Sequence, residues 1–259
     1  MSNEFPFLEF ANAQPAIHEF TSVPSTNDIA KGLLSDSSFV CVQAVHQTNG
    51  RGRHGKQWQT DDSENVCCSI GMRYAHPIPM HHGAFLQIIG TLAVQKTINT
   101  IEPTVQCTIK YPNDVYSRTQ QQEYKKVSGV LLETEVQNGR ITQSILGIGI
   151  NCNVTTFPDE LISKATSLTL LTNRIYSPGE ITTILVNNIL QLFRESVTGI
   201  NNLWQTSLCL EKKVFTIVNQ TDTWLFDTFT PEGMLMLYNP NSKEKRLIHD
   251  GDSILYSLE

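Results

Sequence analysis

The 259-residue sequence has no apolar run that approaches 18 residues, so it predicts no membrane-spanning helix. Arginine is missing before Arg51, and the first 20 residues contain three glutamates, which argues against a transit peptide. Positive charge is scarce throughout, because 19 Lys and Arg residues face 25 Asp and Glu residues, a net charge of −6. This balance argues against the general basic surface of a nucleic-acid-binding protein.

Metal-binding patterns are also missing. The six cysteines form neither a C-x-x-C pair nor the Cys/His spacing of a zinc site. Several lie in apolar, strand-like runs, where a reduced cysteine behaves as a small hydrophobic residue. We therefore expect reduced, structural thiols and a cytoplasmic protein. His76, His81 and His82 lie in a polar connection without metal-ligand partners, and His54 is expected to be a bystander.

The pattern of apolar residues predicts an α+β fold. Residues 1–20 read as an irregular or strand-like lead-in, and residues 117–125 as a surface hairpin loop. Helices are predicted at 27–31, capped by Ser25 or Thr26 and ending near Gly32; around 85–93; and from Pro178, where residues 177–180 form a capping box. Strands are predicted at the following segments: 39–45, 66–72, 105–110, 127–135 and 141–148.

The last fifty residues have a different pattern. After a break near 205–213, short strands are predicted around 214–218, 224–229, 234–238, 246–249 and 253–257. Turns at 231–233, 239–241 and 250–252 separate them. Five short strands in so few residues favour a small β-barrel.

The most informative segment is the loop of residues 50–59, Gly-Arg-Gly-Arg-His-Gly-Lys-Gln-Trp-Gln. Its glycines let backbone amides approach an anion, and its arginines bind carboxylate or phosphate. Trp58 can cover a flat ring, so the loop suits a small anionic ligand such as an acyl-adenylate. A Gly-x-Gly-x-x-Gly dinucleotide fingerprint needs a helix afterwards, whereas a strand is predicted here.

Five segments, in order, resemble the biotin protein ligases. They are Ser25-Thr26-Asn27, the loop from Gly50 to Gly55 with Trp58, Lys110 to Val115, Lys126 to Glu133, and Gly147 to Asn153. The strong similarity covers residues 25–153. Tyr111 stands where the family usually has tryptophan, which is a conservative change.

The resemblance implies a mixed β-sheet catalytic domain with packed helices (residues 1–208) and an SH3-like β-barrel (residues 209–259). It also implies a short form of the enzyme, without the DNA-binding domain that some relatives carry. Such enzymes activate biotin with ATP and Mg²⁺ to biotinyl-5′-AMP, then transfer biotin to a lysine of a biotin carboxyl carrier domain of a carboxylase, such as acetyl-CoA carboxylase. No nucleic acid or membrane partner is expected, and a homodimer is compatible with the family.

The resemblance assigns roles residue by residue. Lys126, Arg51 and Arg53 would be catalytic, and Asp114 would contact Mg²⁺ or ribose. Residues expected to bind biotin or its adenylate are Ser25, Thr26, Asn27, Gln47, Gly50, Arg51, Gly52, Arg53, Lys126 and Gly129. Residues expected at the nucleotide are Trp58, Asn113, Asp114 and Asn151.

Structural explanations remain open for several of these residues. Ser25 and Thr26 can cap a helix, Trp58 can pack in the core, and residues 112–114 can form a turn. A surface lysine is expected at Lys125 instead of Lys126. Competing functions are a lipoate or octanoate ligase, a catalytically silent biotin or nucleotide sensor, and a nucleic-acid-binding module.

Overall fold

The computed structural model describes residues 7–58, 65–120, 122–230, 233–248 and 250–258. Within these ranges the chain forms an α+β fold of six helices and two sheets. The helices are α1 (Thr26–Leu33), α2 (His82–Ile101), α3 (Asp159–Ile162), α4 (Leu168–Thr172), α5 (Pro178–Leu192) and α6 (Val197–Leu208). The strands of the large sheet are β1 (Ile17–Val23), β2 (Phe39–Gln47), β3 (Val66–Pro79), β4 (Gln106–Lys110), β5 (Asp114–Arg118), β6 (Lys125–Gln137) and β7 (Arg140–Ile150).

The large sheet is mixed, with the order β1-β2-β3-β7-β6-β5-β4. β1 pairs with β2 in parallel, and the other neighbours are antiparallel. Helices α2 and α5 cover one face, where Gly90 of α2 packs against Val130 and Leu146. Helix α1 covers the other face and buries Ala30 against β2.

A smaller antiparallel sheet follows α6. Its strands are β8 (Val214–Ile217), β9 (Thr223–Phe229), β10 (Leu235–Tyr238), β11 (Lys245–Ile248) and β12 (Ile254–Leu255), in the order β11-β10-β9-β8-β12. The five strands match the prediction, and in the described residues they pair as a small antiparallel sheet. The turn expected at residues 231 and 232 lies outside the described residues.

Tyr111 joins the two sheets. Its hydroxyl donates to the carbonyl of Ile248 (3.1 Å) and accepts from the N–H of Leu235 (3.3 Å). Its own N–H donates to the hydroxyl of Tyr256 (3.0 Å), and its ring lies 5.9 Å from that of Trp204. Gly251 packs so closely on Tyr111 that a Cβ there would lie 2.2 Å from the Tyr111 carbonyl oxygen. The small sheet is thus held directly against residues 111 and 112.

Most predicted elements are present, and three differ in their bounds. Helix α1 continues through Gly32 to Leu33, and Leu34 beyond its end is buried under β2. The turn expected at 112–114 lies at 111–113, and the hairpin loop expected at 117–125 is shorter, because β5 continues to Arg118. Helix α6 runs to Leu208 across the expected break, burying Ile200, Trp204 and Leu208 on one face.

The six cysteines are unpaired thiols. Burial raises the pKa of the Cys67 and Cys152 thiols to about 12. Of the helices in the described ranges, including the 20-residue α2, none combines the length and apolar character needed to cross a membrane.

Candidate functional site

A cavity lies on the α1 face of the large sheet. The start of α1, the loop after β2, and the central strands β3, β6 and β7 surround it. Its lining residues are Ser25, Thr26, Asn27, Gln47, Arg51, Gly52, Arg53, Trp58, Cys68, Asn113, Lys126, Gly129, Val130, Leu131, Gly147, Ile148 and Gly149. Most of the residues predicted for the site are therefore brought together around one space.

The N-terminus of α1 forms the neutral end of the cavity. Ser25 occupies the N-cap position, yet its side chain makes no capping hydrogen bond. Gln47 performs that task instead, because its Oε1 accepts from the Thr26 N–H (2.8 Å) and the Thr26 hydroxyl (3.0 Å). The capping role expected for Ser25 is thus wrong. Its side chain, only 2% exposed, faces the cavity without serving the helix.

Ser69 and Asn27 complete the neutral end. The Ser69 hydroxyl lies 2.7 Å from Thr26 Oγ1 and 2.6 Å from Asn27 Oδ1. Because a hydroxyl has one proton, it donates to one of these oxygens at a time. Asn27 Nδ2 in turn donates to Glu133 Oε2 (2.9 Å). Buried polar groups linked in this way hold one arrangement, since each broken bond would leave a partner unsatisfied.

Arg51 is bound by two carboxylates. Its guanidinium forms a bidentate pair with Asp28 (2.8 and 2.7 Å) and a second pair with Glu133 (3.1 and 3.3 Å). These contacts raise the pKa of Arg51, with Asp28 contributing most, and Arg51 lowers the pKa of Asp28. Four of the five N–H groups of Arg51 are engaged. A ligand anion therefore has to displace a carboxylate before it can form a paired contact with Arg51.

Arg53 is held differently, at the charged end of the cavity. It donates to Asn113 Oδ1 (2.7 Å) and to Asp250 Oδ1 (2.9 Å), which belongs to the turn before β12. Burial opposes ionisation of Asp250, but the Asp252 N–H, His54 and the charge of Arg53 lower its pKa. Only two N–H groups of Arg53 bond to residues in the described part of the chain. Arg53 therefore has donors available without giving up a protein contact.

The turn at residues 250–252 makes two further contacts with the loop. His54 Nε2 lies 3.1 Å from Asp250, and Lys56 Nζ lies 2.8 Å from Asp252. The Lys56 contact lowers the pKa of Asp252. His54, Asp250 and Asp252 are close enough to hold a cation, but the positive charges of Arg53 and Lys56 disfavour one there. The turn thus serves to bind the loop.

Lys126 faces the cavity, and Lys125 does not. Lys126 Nζ lies 2.8 Å from Asp114 Oδ1, which also accepts from Asn113 Nδ2 (3.0 Å). Lys125 turns away and donates to the carbonyl of Ile162 (2.8 Å). The sequence analysis expected Lys126 at the ligand and Lys125 at the surface, and the two side chains point accordingly.

Glycines on β6 and β7 provide room for Trp58. A Cβ on Gly149 would lie 2.2 Å from the indole ring, and one on Gly129 would lie 3.3 Å from both Trp58 and Lys126. On Gly147, a Cβ would meet Asn27 Oδ1 at 2.5 Å. A side chain at any of these three glycines would therefore collide with, or press on, a group that surrounds the cavity.

Three predicted residues do not line the cavity. Gly50 lies behind Trp58, where a Cβ would be 2.7 Å from the Trp58 carbonyl oxygen. Asp114 is reached only through Lys126 and Asn113. Asn151 is buried and donates to the carbonyl of Thr166 (3.0 Å). These contacts of Asn151 are those of a residue with a structural role.

Sequence reasoning assigned no role to Ser69 or Asp250, and it treated Glu133, Gly147 and Gly149 only as parts of motifs. The glycines alternate on β7, which is a usable signal for a strand that something approaches closely. Ser69 is one polar residue in an apolar strand. Asp250 carries no local signal, because its partner Arg53 is 197 residues away.

Comparison with known proteins gives a consistent result. A sequence model described as the biotin/lipoate A/B protein ligase family matches residues 19–151. A biotin–[acetyl-CoA-carboxylase] ligase of Mycobacterium tuberculosis is 32% identical over 136 residues, covering 52% of this chain and 46% of the relative. The bifunctional ligase/repressor BirA of Bacillus spizizenii is 32% identical over 160 residues, covering 61% and 43%. The chain thus spans less than half the length of these curated relatives in the matched regions.

The fold has similar solved structures. A biotin protein ligase from Aquifex aeolicus, solved in complex with biotin and ATP, superposes with a TM-score of 0.69 at 22% identity. The match covers 93% of this chain and 97% of that one. A biotin protein ligase from Leishmania major, solved with biotin, gives a TM-score of 0.63 at 17% identity, covering 92% and 100%. At these identities the similarity establishes the fold.

Proposed function

The chain belongs to the biotin/lipoate A/B protein ligase family, and we propose that it is a biotin protein ligase. The main observation behind the proposal is that one cavity has two chemically different ends, one neutral and one charged. The neutral end offers hydrogen-bonding groups of Ser25, Thr26 and Gln47, and Ser69 bonds to Thr26. The charged end offers the cations Arg53 and Lys126. Biotin has a neutral ureido ring at one end and a carboxylate at the other, which matches this division.

In the first half-reaction, the biotin carboxylate attacks the α-phosphorus of ATP. A bond forms between the carboxylate oxygen and phosphorus, the bond to pyrophosphate breaks, and biotinyl-5′-AMP remains. Both reactants are anions, so the residues of this chain act by placing positive charge between them. Lys126 acts as a point charge that leaves Asp114 for the ligand oxygens, and Arg53 retains the phosphate with its available donors.

In the second half-reaction, the ε-amine of an acceptor lysine attacks the acyl carbon of the adenylate. An amide forms, AMP leaves with the bonding electron pair, and the amine loses a proton. The acceptor is proposed to be a biotin carboxyl carrier domain of a carboxylase. Trp58, packed over Gly129 and Gly149, is suited to limit the access of water to the mixed anhydride.

Magnesium fits this site as an ion that arrives with the triphosphate. Mg²⁺ is commonly held by one or two carboxylates together with substrate phosphates and water. Asp114 supplies one carboxylate beside the cavity, in contact with Lys126 and Asn113. When bound, the ion would neutralise part of the phosphate charge.

The proposal also covers the domain division, the cellular location and the oligomeric state. The division at residues 208 and 209 is supported by the end of α6 at Leu208 and by the five strands that follow. Closure of those strands into an SH3-like barrel belongs to the proposal. A cytoplasmic location and a homodimer remain predictions from the sequence.

The family also contains lipoate ligases, so the acid substrate is the point to test. ATP–pyrophosphate exchange should be measured on the native chain with biotin, with lipoate and with no acid. Exchange that requires biotin and Mg²⁺ is expected. Exchange with lipoate alone would move the protein to the lipoate branch, and biotin binding without any exchange would indicate a sensor. A second assay should follow transfer of biotin to a purified carrier domain, with its acceptor lysine changed to arginine as the control.

A further inference from the structure

The main chain of Lys126 is held on one side by a segment from outside the large sheet. The ladder between β6 and β7 ends at Ser128, two residues beyond Lys126. At Lys126 itself, the N–H donates to the carbonyl of Lys164 (2.8 Å), and the carbonyl accepts from the Thr166 N–H (2.9 Å). These two bonds form a short parallel bridge, while β5 pairs with Lys126 on the other side. The bridge therefore takes the place that β7 has along the rest of β6.

Residues 164–176, which we call the brace, are in turn fixed to the chain that leaves β7. The brace includes α4, and two of its N–H groups bond to main-chain carbonyls of that chain. Leu168 donates to Asn151 (3.0 Å), and Thr169 donates to Cys152 (2.9 Å). The brace thus connects the end of β7 with the start of β6, where Lys126 lies.

Asn153 fixes the far end of the brace with its side chain. Its Nδ2 donates to the carbonyl of Tyr176 (2.9 Å). Its Oδ1 accepts from the Tyr176 N–H (3.0 Å) and from the Thr169 hydroxyl (3.2 Å). An amide that bonds to both main-chain groups of one residue sets the position and the direction of the chain there. Asn153 is the last residue of the motif that begins at Gly147, and the resemblance assigned it no role.

A buried carboxylate holds the same end of the brace. Glu102 follows α2 and is only 5% exposed. It accepts from Arg174 Nη1 (2.6 Å) and from the Tyr176 hydroxyl (2.8 Å). Tyr176 is therefore held through its main chain by Asn153 and through its ring by the end of a core helix. With both contacts in place, the brace has a fixed far end from which it can support Lys126.

We infer that Asn153 is a positioning residue for Lys126 and that it acts through the brace. The inference rests on the proposed function, in which the Lys126 ammonium is placed at the reacting oxygens. Loss of the Asn153 side chain removes three hydrogen bonds from the brace and allows the bridge at Lys126 to shift. Because misplacement of a reacting group by about 1 Å can cost roughly 10²-fold and the main-chain bonds of α4 remain, we expect a loss of about 10-fold.

The first test is a double-mutant cycle on the full chain, with biotin-dependent ATP–pyrophosphate exchange as the readout. Asn153→Ala should lower kcat about 10-fold in the native background but less than about 2-fold when Lys126 is already alanine, since a missing ammonium cannot be misplaced. Asn188→Ala is the matched control, because Asn188 is a buried asparagine with a 3.0 Å bond to Thr97. It should lower thermal stability and leave kcat unchanged. Equal losses from Asn153→Ala in both backgrounds would overturn the inference.

Amide hydrogen exchange tests the same inference without any activity. In Asn153→Ala, the N–H groups of Lys126 and Thr166 should exchange about 10-fold faster relative to that of Ile148, which lies in the middle of the sheet and reports global opening. Asn188→Ala should leave this ratio as it is in the native chain. An unchanged ratio in Asn153→Ala would overturn the inference whatever happens to kcat. A changed ratio in a protein whose native chain activates no acid would support the brace and refute the proposed function.

Discussion

The two ends of the cavity differ in the side chains that form them. At the neutral end, Thr26, Asn27 and Ser69 are buried, and the hydrogen bonds that Ser69 makes to the other two connect uncharged groups of the large sheet and α1. At the charged end, Arg53 and Lys126 form ion pairs with partly exposed carboxylates, one of which comes from beyond the small sheet's β11.

Because its two ends differ, a single site can combine selectivity for one ligand with exchange of its own ion-pair partners. A buried hydrogen bond that loses its partner leaves an unsatisfied group, so the neutral end can reject ligands that do not match it. A partly exposed ion pair has a small net free energy, because water and salt compete with it. The charged end can therefore release its protein partners when a phosphate or carboxylate arrives.

Loss of the cavity lysine tests the charged end most strongly. Lys126→Ala should reduce biotin-dependent ATP–pyrophosphate exchange by about 10²- to 10³-fold, since a fixed charge at the reacting oxygens is lost. Lys125→Ala is the control, because that lysine bonds to Ile162 and points away. Equal activities of the two variants would contradict the assignment of Lys126.

A methyl group on the cavity floor should be the next most damaging change. In Gly149→Ala, the new Cβ would overlap the Trp58 indole, so the ring must move by more than an ångström. Displacement on that scale predicts a loss of roughly 10²-fold in exchange. Trp58 fluorescence should shift at the same time. Gly179→Ala, at a glycine with open space around it, should change neither property.

The neutral end can be tested by removing one hydroxyl. Ser69→Ala should weaken biotin binding about 10-fold, because Thr26 and Asn27 lose the group that orders them. Ser144→Ala removes another buried hydroxyl from the same sheet, the partner of Tyr74. The control should lower thermal stability and leave the biotin dissociation constant unchanged. A change in stability alone for Ser69→Ala would mean that the network does not shape the ligand site.

The smallest effect is expected at the turn that binds the loop. Asp250→Asn should raise the KM for ATP only a few-fold, because Arg53 keeps its contact with Asn113 and the lost pair is partly exposed. The native KM should also rise with salt more steeply than that of the variant. Asp227→Asn removes a comparable pair with Lys245 and serves as the control. A large fall in kcat for Asp250→Asn would contradict the view that an ion pair at the charged end is broken at little cost.

Sequence reasoning found most of the candidate site because its residues occur in short motifs. The loop of residues 50–58 and the strand that begins at Lys125 were predicted with their chemistry, and their cavity-facing residues meet in the structure. Strands β2, β6 and β7 also followed from their apolar pattern. Helix α6 was missed although Ile200, Trp204 and Leu208 are spaced four apart. Its polar residues and Gly199 obscured that signal.

Other features had no local signal at all. Gln47, and not Ser25, caps α1, because the side chain of a strand residue reaches the helix from 21 positions away. Asp28 and Glu133 surround Arg51 although Glu133 is 82 residues distant from it. Such pairings depend on where separate elements come to lie. A linear pattern does not contain that information.

By itself the sequence determined the class of fold, the family resemblance and the chemical character of the loop, because backbone freedom, charge and apolar periodicity are properties of neighbouring residues. Only the tertiary structure decided which partners each charged group has. It engages Arg51 with two carboxylates, leaves donors of Arg53 available, and brings Asp250 of a distant turn against Arg53. The physical reason is that a charge is balanced by whatever lies within a few ångströms, and sheet pairing sets those distances.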